Sequence, residues 1–145
     1  MNRIGKIREH ALSLGFDAIG FAVPSGVGQA GRNLSEFVAL GRHGEMKWMA
    51  EKLDRRRNPT KLWPAVRGVI VVGVNYGPEI DPLDNLSMGS IGTISVYARN
   101  HDYHKVLKGR LKQLGNWLSS SLGGEIKVFV DTAPVMEKPL AEAAG

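Results

Sequence analysis

Asp131 stands where an apolar run, Ile126-Lys-Val-Phe-Val130, gives way to Thr132-Ala-Pro134. Ligands of open α/β sheets collect beyond the carboxyl ends of strands, so a carboxylate at that point is well placed for chemistry. Apolar walls disfavour the ionised form of a carboxyl group, which lets it keep the proton that a general acid must give. The same residue types also support turns and cap helices, and local pattern alone leaves both roles open.

A second group, Arg99-Asn-His-Asp-Tyr-His104, gathers a cation, two imidazoles, a carboxylate and a phenol between a predicted strand and a predicted helix. Such a cluster can grip a polar ligand, or Asn100 or Asp102 can cap the helix that follows. His101 and His104 lack an evident third ligand, so no metal set is assigned. Arg55-Arg-Arg-Asn-Pro59, flanked by Lys52 and Lys61, forms a compact cationic patch suited to phosphate, with Trp63 as an apolar neighbour.

These groups need elements to hold them. Ile4, Ile7, Ala11 and Leu14 fall at helical spacing, and Ala18 to Val23 reads as a short strand closed by Pro24-Ser-Gly26. Leu34 to Ala39 suggests a second helix, broken over Gly41 to Gly44, and Met46, Trp48 and Met49 are expected in the core. Gly68 to Tyr76 is the clearest strand, expected at the centre of a sheet, and Thr93 to Tyr97 and Ile126 to Val130 add further strands. Leu107, Leu111, Leu114, Leu118 and Leu122 mark a long amphipathic helix, and Val135 to Gly145 a short one. Gly77 to Gly92 reads as a surface loop or lid. The expected fold is α/β (α+β), a mixed sheet of about four or more strands flanked by helices.

The 145 residues suit one domain with its own core, and 43% hydrophobic residues argue for a folded chain. The absence of cysteine excludes disulfides, thiolate metal sites and iron–sulfur ligation within these residues. No apolar run approaches the ~20 residues of a membrane span, so a soluble, cytoplasmic protein is expected. A net charge of +5 favours a polyanionic partner, nucleic acid first among them.

Taken in order, Arg55-Arg-Arg-Asn-Pro with Leu62-Trp-Pro, the strand ending Asn75-Tyr76, Tyr97 with Asp102-Tyr-His104, and Val130-Asp-Thr-Ala-Pro-Val-Met-Glu137 resemble the epoxyqueuosine reductases over essentially the whole chain. That family reduces the epoxide of epoxyqueuosine at the wobble position of a tRNA anticodon, using cobalamin and two [4Fe–4S] clusters. The resemblance implies that residues 1–145 are the N-terminal cobalamin-binding part, with a C-terminal ferredoxin-like part absent. It implies Asp131 as the acid that protonates the departing oxygen and as a cofactor contact, together with Arg57 and Tyr97. It makes Asp102, Tyr103 and His104 pocket walls, and tRNA, cobalamin and an electron donor the partners. The competing expectations are a non-catalytic basic RNA-binding module and a cobalamin carrier.

Overall fold

A computed structural model describes residues 2–145. The chain divides into two compact units, each built from two stretches of sequence. Met1–Asp17 and Val74–Val130 form the first, Ala18–Gly73 and Asp131–Gly145 the second.

The first unit is organised by two helices, α1 (Arg3–Ser13) and α6 (Tyr103–Leu122). Asn2 caps α1 by accepting the N–H of Gly5 at 2.8 Å. Gly15, at φ +84°, ends that helix: its N–H donates to Leu12 and that of Phe16 to Ala11, the paired bonds of a Schellman close. Ala11 and Phe16 are both buried beside Ile7, so the turn that stops the helix also builds the core. Leu114, Gly115 and Leu118 are the buried stretch of α6, as the leucine spacing predicts. Gly115 sits under Ile126 and Val128, where an added Cβ would lie 3.2 Å from Ile126 Cγ2. His10 stacks on Trp117 with ring centroids 4.2 Å apart, and Arg110 donates to the Gly15 carbonyl at 2.8 Å, tying α6 to the end of α1.

The second unit holds the sheet. β1 (Ala18–Ala22) pairs antiparallel with β2 (Val69–Gly73), Ala18 facing Gly73 and Ala22 facing Val69. Between them run α2 (Gly28–Ala39), α3 (Lys47–Glu51), α4 (Leu53–Arg57) and α5 (Pro59–Leu62). Gly41, at φ +67°, closes α2 with another Schellman pair, Gly41 donating to Val38 and Arg42 to Phe37. Asn58 accepts the N–H of Thr60 and Pro59 takes the first position of α5, so the Asn-Pro dipeptide starts that helix. The last helix, α7 (Glu137–Ala144), packs on β1 and β2, and its Leu140 is 2% exposed. A Cβ on Gly20 would lie 2.6 Å from the Ala144 carbonyl oxygen, so only glycine lets α7 come this close to β1.

Two expectations need correction. The described residues form two strands, not four or more, and β2 has one strand neighbour. Thr93 to Ser95 is irregular and leads into a 3₁₀ turn at Val96–Ala98, and Ile126 to Val130 lies on α6 without ladder bonds. Alternation and β-branching describe side chains that fit a sheet, but a strand also needs an edge to pair with. Trp48 and Met46 are exposed, not core, with Trp48 at 50%. Residues 77–92 are irregular apart from a 3₁₀ turn at Asp84–Ser87, and Ile80, Leu83, Leu86, Met88 and Ile91 along this stretch, with Ile94 just beyond it, stand exposed. No described helix is long and apolar enough to cross a membrane.

Candidate functional site

Asp131 opens the second stretch of the second unit with φ +54°, the left-handed region that a non-glycine residue enters at a cost on the order of 1 kcal/mol. Aspartate tolerates this better than most side chains. The conformation is held by Glu137, in the first turn of α7, whose Oε1 accepts the Asp131 N–H at 3.0 Å. The residues between them turn back, with Val135 donating to the Ala133 carbonyl at 2.8 Å.

This turn forms one wall of a cleft of about 490 Å³. Asp131 to Val135, Glu137 and Lys138 line one side, and Trp48, Glu51, Lys52 and Arg56 the other. The helix break at Lys52 between α3 and α4 lets Arg56 return over the Trp48 ring, its guanidinium 4.6 Å from the centroid. Such a contact is worth ~0.5–1 kcal/mol at an exposed site. Arg56 Nε is buried and has no hydrogen-bond partner, an oriented donor without an acceptor. The cleft thus offers a flat aromatic–guanidinium surface, two ammonium groups and three carboxylates. It can take a flat ligand with carbonyl or phosphate groups at its edge and bring it to a carboxyl group.

Of the residues singled out from sequence, Asp131 lines the cleft and is exposed. Arg57 is exposed and lies outside it; its backbone carbonyl and Cβ pack against Gly31 of α2, about 3 Å from where a Cβ there would stand. Arg56 takes the place in the cleft. Lys52 belongs to the cationic patch read from sequence and Trp48 to the expected core, whereas Glu51, Glu137 and Lys138 carry no sequence-derived role, though Glu137 ends a quoted motif.

Tyr97, Asp102, Tyr103 and His104 belong to the first unit. Asp102 caps α6, accepting the His104 N–H at 3.0 Å, and the same Oδ1 lies 2.9 Å from His104 Nδ1. His104 stacks on Tyr103, centroids 4.1 Å apart, and Tyr97 meets the Tyr103 ring edge-on at 6.3 Å. The His104 side-chain bond, then its backbone N–H, hold the Asp102 carboxyl below the ordinary aspartate range. A lowered carboxyl pKa stabilises the fold above the unfolded-chain value, and that contribution disappears as pH falls through the folded value. Urea midpoints should therefore fall more steeply on acidification below about pH 4 in the wild type than in Asp102→Asn, which keeps a cap without the charge. Superimposable curves would remove the Asp102–His104 pair from the account. No group of three or more potential metal ligands occurs among the described residues.

The class that fold and cleft define is a helix-rich α/β chain with an acid and a cation–aromatic surface facing one cleft. Residues 56–132 match the model of the family described as epoxyqueuosine reductase QueG, DUF1730, and the chain belongs to that family. The epoxyqueuosine reductase of Escherichia coli is 37% identical over 142 residues, 97% of this chain and 37% of its own length. That of Gloeobacter violaceus is 39% identical over 143 residues, 97% of this chain and 43% of the relative. The structure of epoxyqueuosine reductase from Streptococcus thermophilus superposes with a TM-score of 0.77 at 23% identity, covering all of this chain and 39% of that one. An epoxyqueuosine reductase crystallised with an epoxyqueuosine-modified tRNA-Tyr stem loop gives the same TM-score over 98% of this chain and 38% of the other. The chain spans about two fifths of the length of these relatives.

Proposed function

We propose that this chain is the cofactor-binding and proton-donating segment of an epoxyqueuosine reductase, acting on epoxyqueuosine at the tRNA wobble position with cobalamin. The observation that carries the reading is Asp131, held in a left-handed turn by Glu137 at the lip of the Trp48–Arg56 cleft and inside the family-matched stretch.

The cleft suits the edge of a corrinoid. A corrin is flat and rimmed with amide carbonyls, and the cleft presents a flat indole, the acceptorless Nε of Arg56 and the ammonium groups of Lys52 and Lys138. Arg56, with Trp48 beneath it, would hold that rim, and Arg57 and Tyr97 stay proposed contacts on the family resemblance. Cobalamin, when bound, supplies the reducing chemistry at the epoxide carbon. Asp131 gives its proton to the oxygen that leaves that carbon, because an alkoxide departs poorly and a hydroxyl group well. Glu137 fixes the backbone of Asp131, so the acid is aimed before substrate arrives. Asp131 is exposed in this chain, so the bound cofactor and substrate must exclude water from it. Asp102, Tyr103 and His104 are proposed as walls for the substrate. The two [4Fe–4S] clusters would be held outside these residues, which include no cysteine, and a separate electron donor completes the proposed partners.

Absorbance titration with cobalamin tests the binding half of the reading. The folded chain should shift the corrinoid spectrum, and Arg56→Ala should weaken binding about tenfold or more, the loss of one charge-assisted hydrogen bond. A folded wild-type chain that leaves the spectrum unchanged at saturating corrinoid would refute it.

A further inference from the structure

α6 carries Lys105, Lys108, Arg110 and Lys112 in its first half and no acidic residue anywhere in its 20 positions. Lys105, Lys108 and Lys112, spaced i, i+3, i+7, fall within one narrow stripe of the helix, and all three are exposed. The stripe is about 10 Å long. Gly109 lies on the same face with open space where a side chain would stand, so a bulky ligand can approach between the lysines.

Helix stability does not account for these charges. The N-terminal turns of a helix favour anions, yet α6 has no acid in its first turn and begins its lysines there. Lys108 and Lys112 stand four apart, a like-charge spacing that opposes the helix. Neither has a carboxylate partner among the described residues, and Lys105 has only the neighbouring field of Asp102. Surfaces kept for solubility intersperse both signs; this one does not. At the N-terminal end of α6, His104 stands four residues before Lys108 at the edge of the stripe and stacks on Tyr103, which Tyr97, 59% exposed, meets edge-on. A row of cations bordered by a histidine ring, with an exposed tyrosine nearby, is a combination that holds single-stranded nucleic acid, phosphates on the cations and bases against the rings.

We infer that the Lys105–Lys108–Lys112 face of α6 is an RNA-binding surface that engages the phosphates of an unpaired loop. The inference deepens the proposed function, on which it rests for the choice of RNA as the polyanion. Lysine acts here as a point charge, so the surface sets position and affinity rather than sequence.

The test is the salt dependence of binding to a tRNA anticodon stem-loop, followed by fluorescence anisotropy. For single strands log K falls with log salt by about 0.7 per phosphate neutralised, so Lys105→Gln with Lys108→Gln and Lys112→Gln should make the slope shallower by about 2. A charge-matched control, Arg3→Gln with Lys6→Gln and Lys47→Gln, should leave the slope within about 0.5 of wild type. The proposal is overturned if the α6 variant, folded by circular dichroism, keeps the wild-type slope, if both variants lose equally, or if the wild-type chain does not bind the stem-loop at low salt. The corrinoid titration separates the two readings. An unchanged α6 slope beside a normal corrinoid shift sinks this surface alone, and a lost slope in a chain blind to corrinoid sinks the cofactor reading alone.

Discussion

Asp131→Asn, in a complete reductase that carries this chain, should lower single-turnover conversion of epoxyqueuosine by about 100- to 10,000-fold, the usual contribution of a positioned general acid. A chimaera in which the chain replaces the matching 142 residues of the Escherichia coli relative provides the enzyme, with the unsubstituted chimaera as reference. Asparagine is the informative replacement because it also accepts left-handed backbone and keeps the N–H that Glu137 receives. The turn therefore survives while the transferable proton is lost. Corrinoid binding should change little, so the effect falls on the chemical step. A rate within a few-fold of the reference would return Asp131 to the role of a turn residue.

Leu140→Ala should destabilise the second unit by about 2–5 kcal/mol, the range for a leucine removed from a packed core. At 2% exposed, Leu140 is the buried residue of α7, the helix that packs on the β1–β2 pair. Its Cδ2 lies 4.0 Å from where a Cβ on Gly26 would stand, so on that side no side chain reaches in to refill the space. Urea unfolding monitored by far-ultraviolet circular dichroism measures the loss. Because Glu137 sits one turn before Leu140, the variant should also weaken corrinoid binding in conditions where the rest of the chain stays folded. An effect below about 1 kcal/mol would mean that α7 is held by something other than its buried leucine.

Local signals carried much of this fold. The spacing from Ile4 to Leu14 and from Leu107 to Leu122 gave two helices because 3.6-residue periodicity survives whatever packs on it. Asp102 read equally as ligand and cap, and the cap is visible in the bond to the His104 N–H. The strands were harder. Thr93 to Tyr97 and Ile126 to Val130 have strand-like side chains, and pairing depends on an edge that no short window contains. The site was legible at Asp131 and blurred around it. Three consecutive arginines point about 100° apart on a helix, so nothing in Arg55-Arg-Arg57 identifies Arg56 as the one over Trp48. Trp48 looked like core because its neighbours are methionines. Glu137 could not be found from sequence, since its carboxylate reaches Asp131 only after the chain reverses through Pro134.

The exposed isoleucines, leucines and methionine between Ile80 and Ile94 have a consequence for handling the chain in solution. With a net charge of +5, copies repel one another at low ionic strength. At 0.1 M salt the screening length shrinks to about 10 Å, and the apolar stretch then meets its like with little electrostatic opposition. The high-salt washes that strip bound nucleic acid from a basic protein are thus the conditions that promote its self-association. The chain should be colloidally most stable in a dilute buffer.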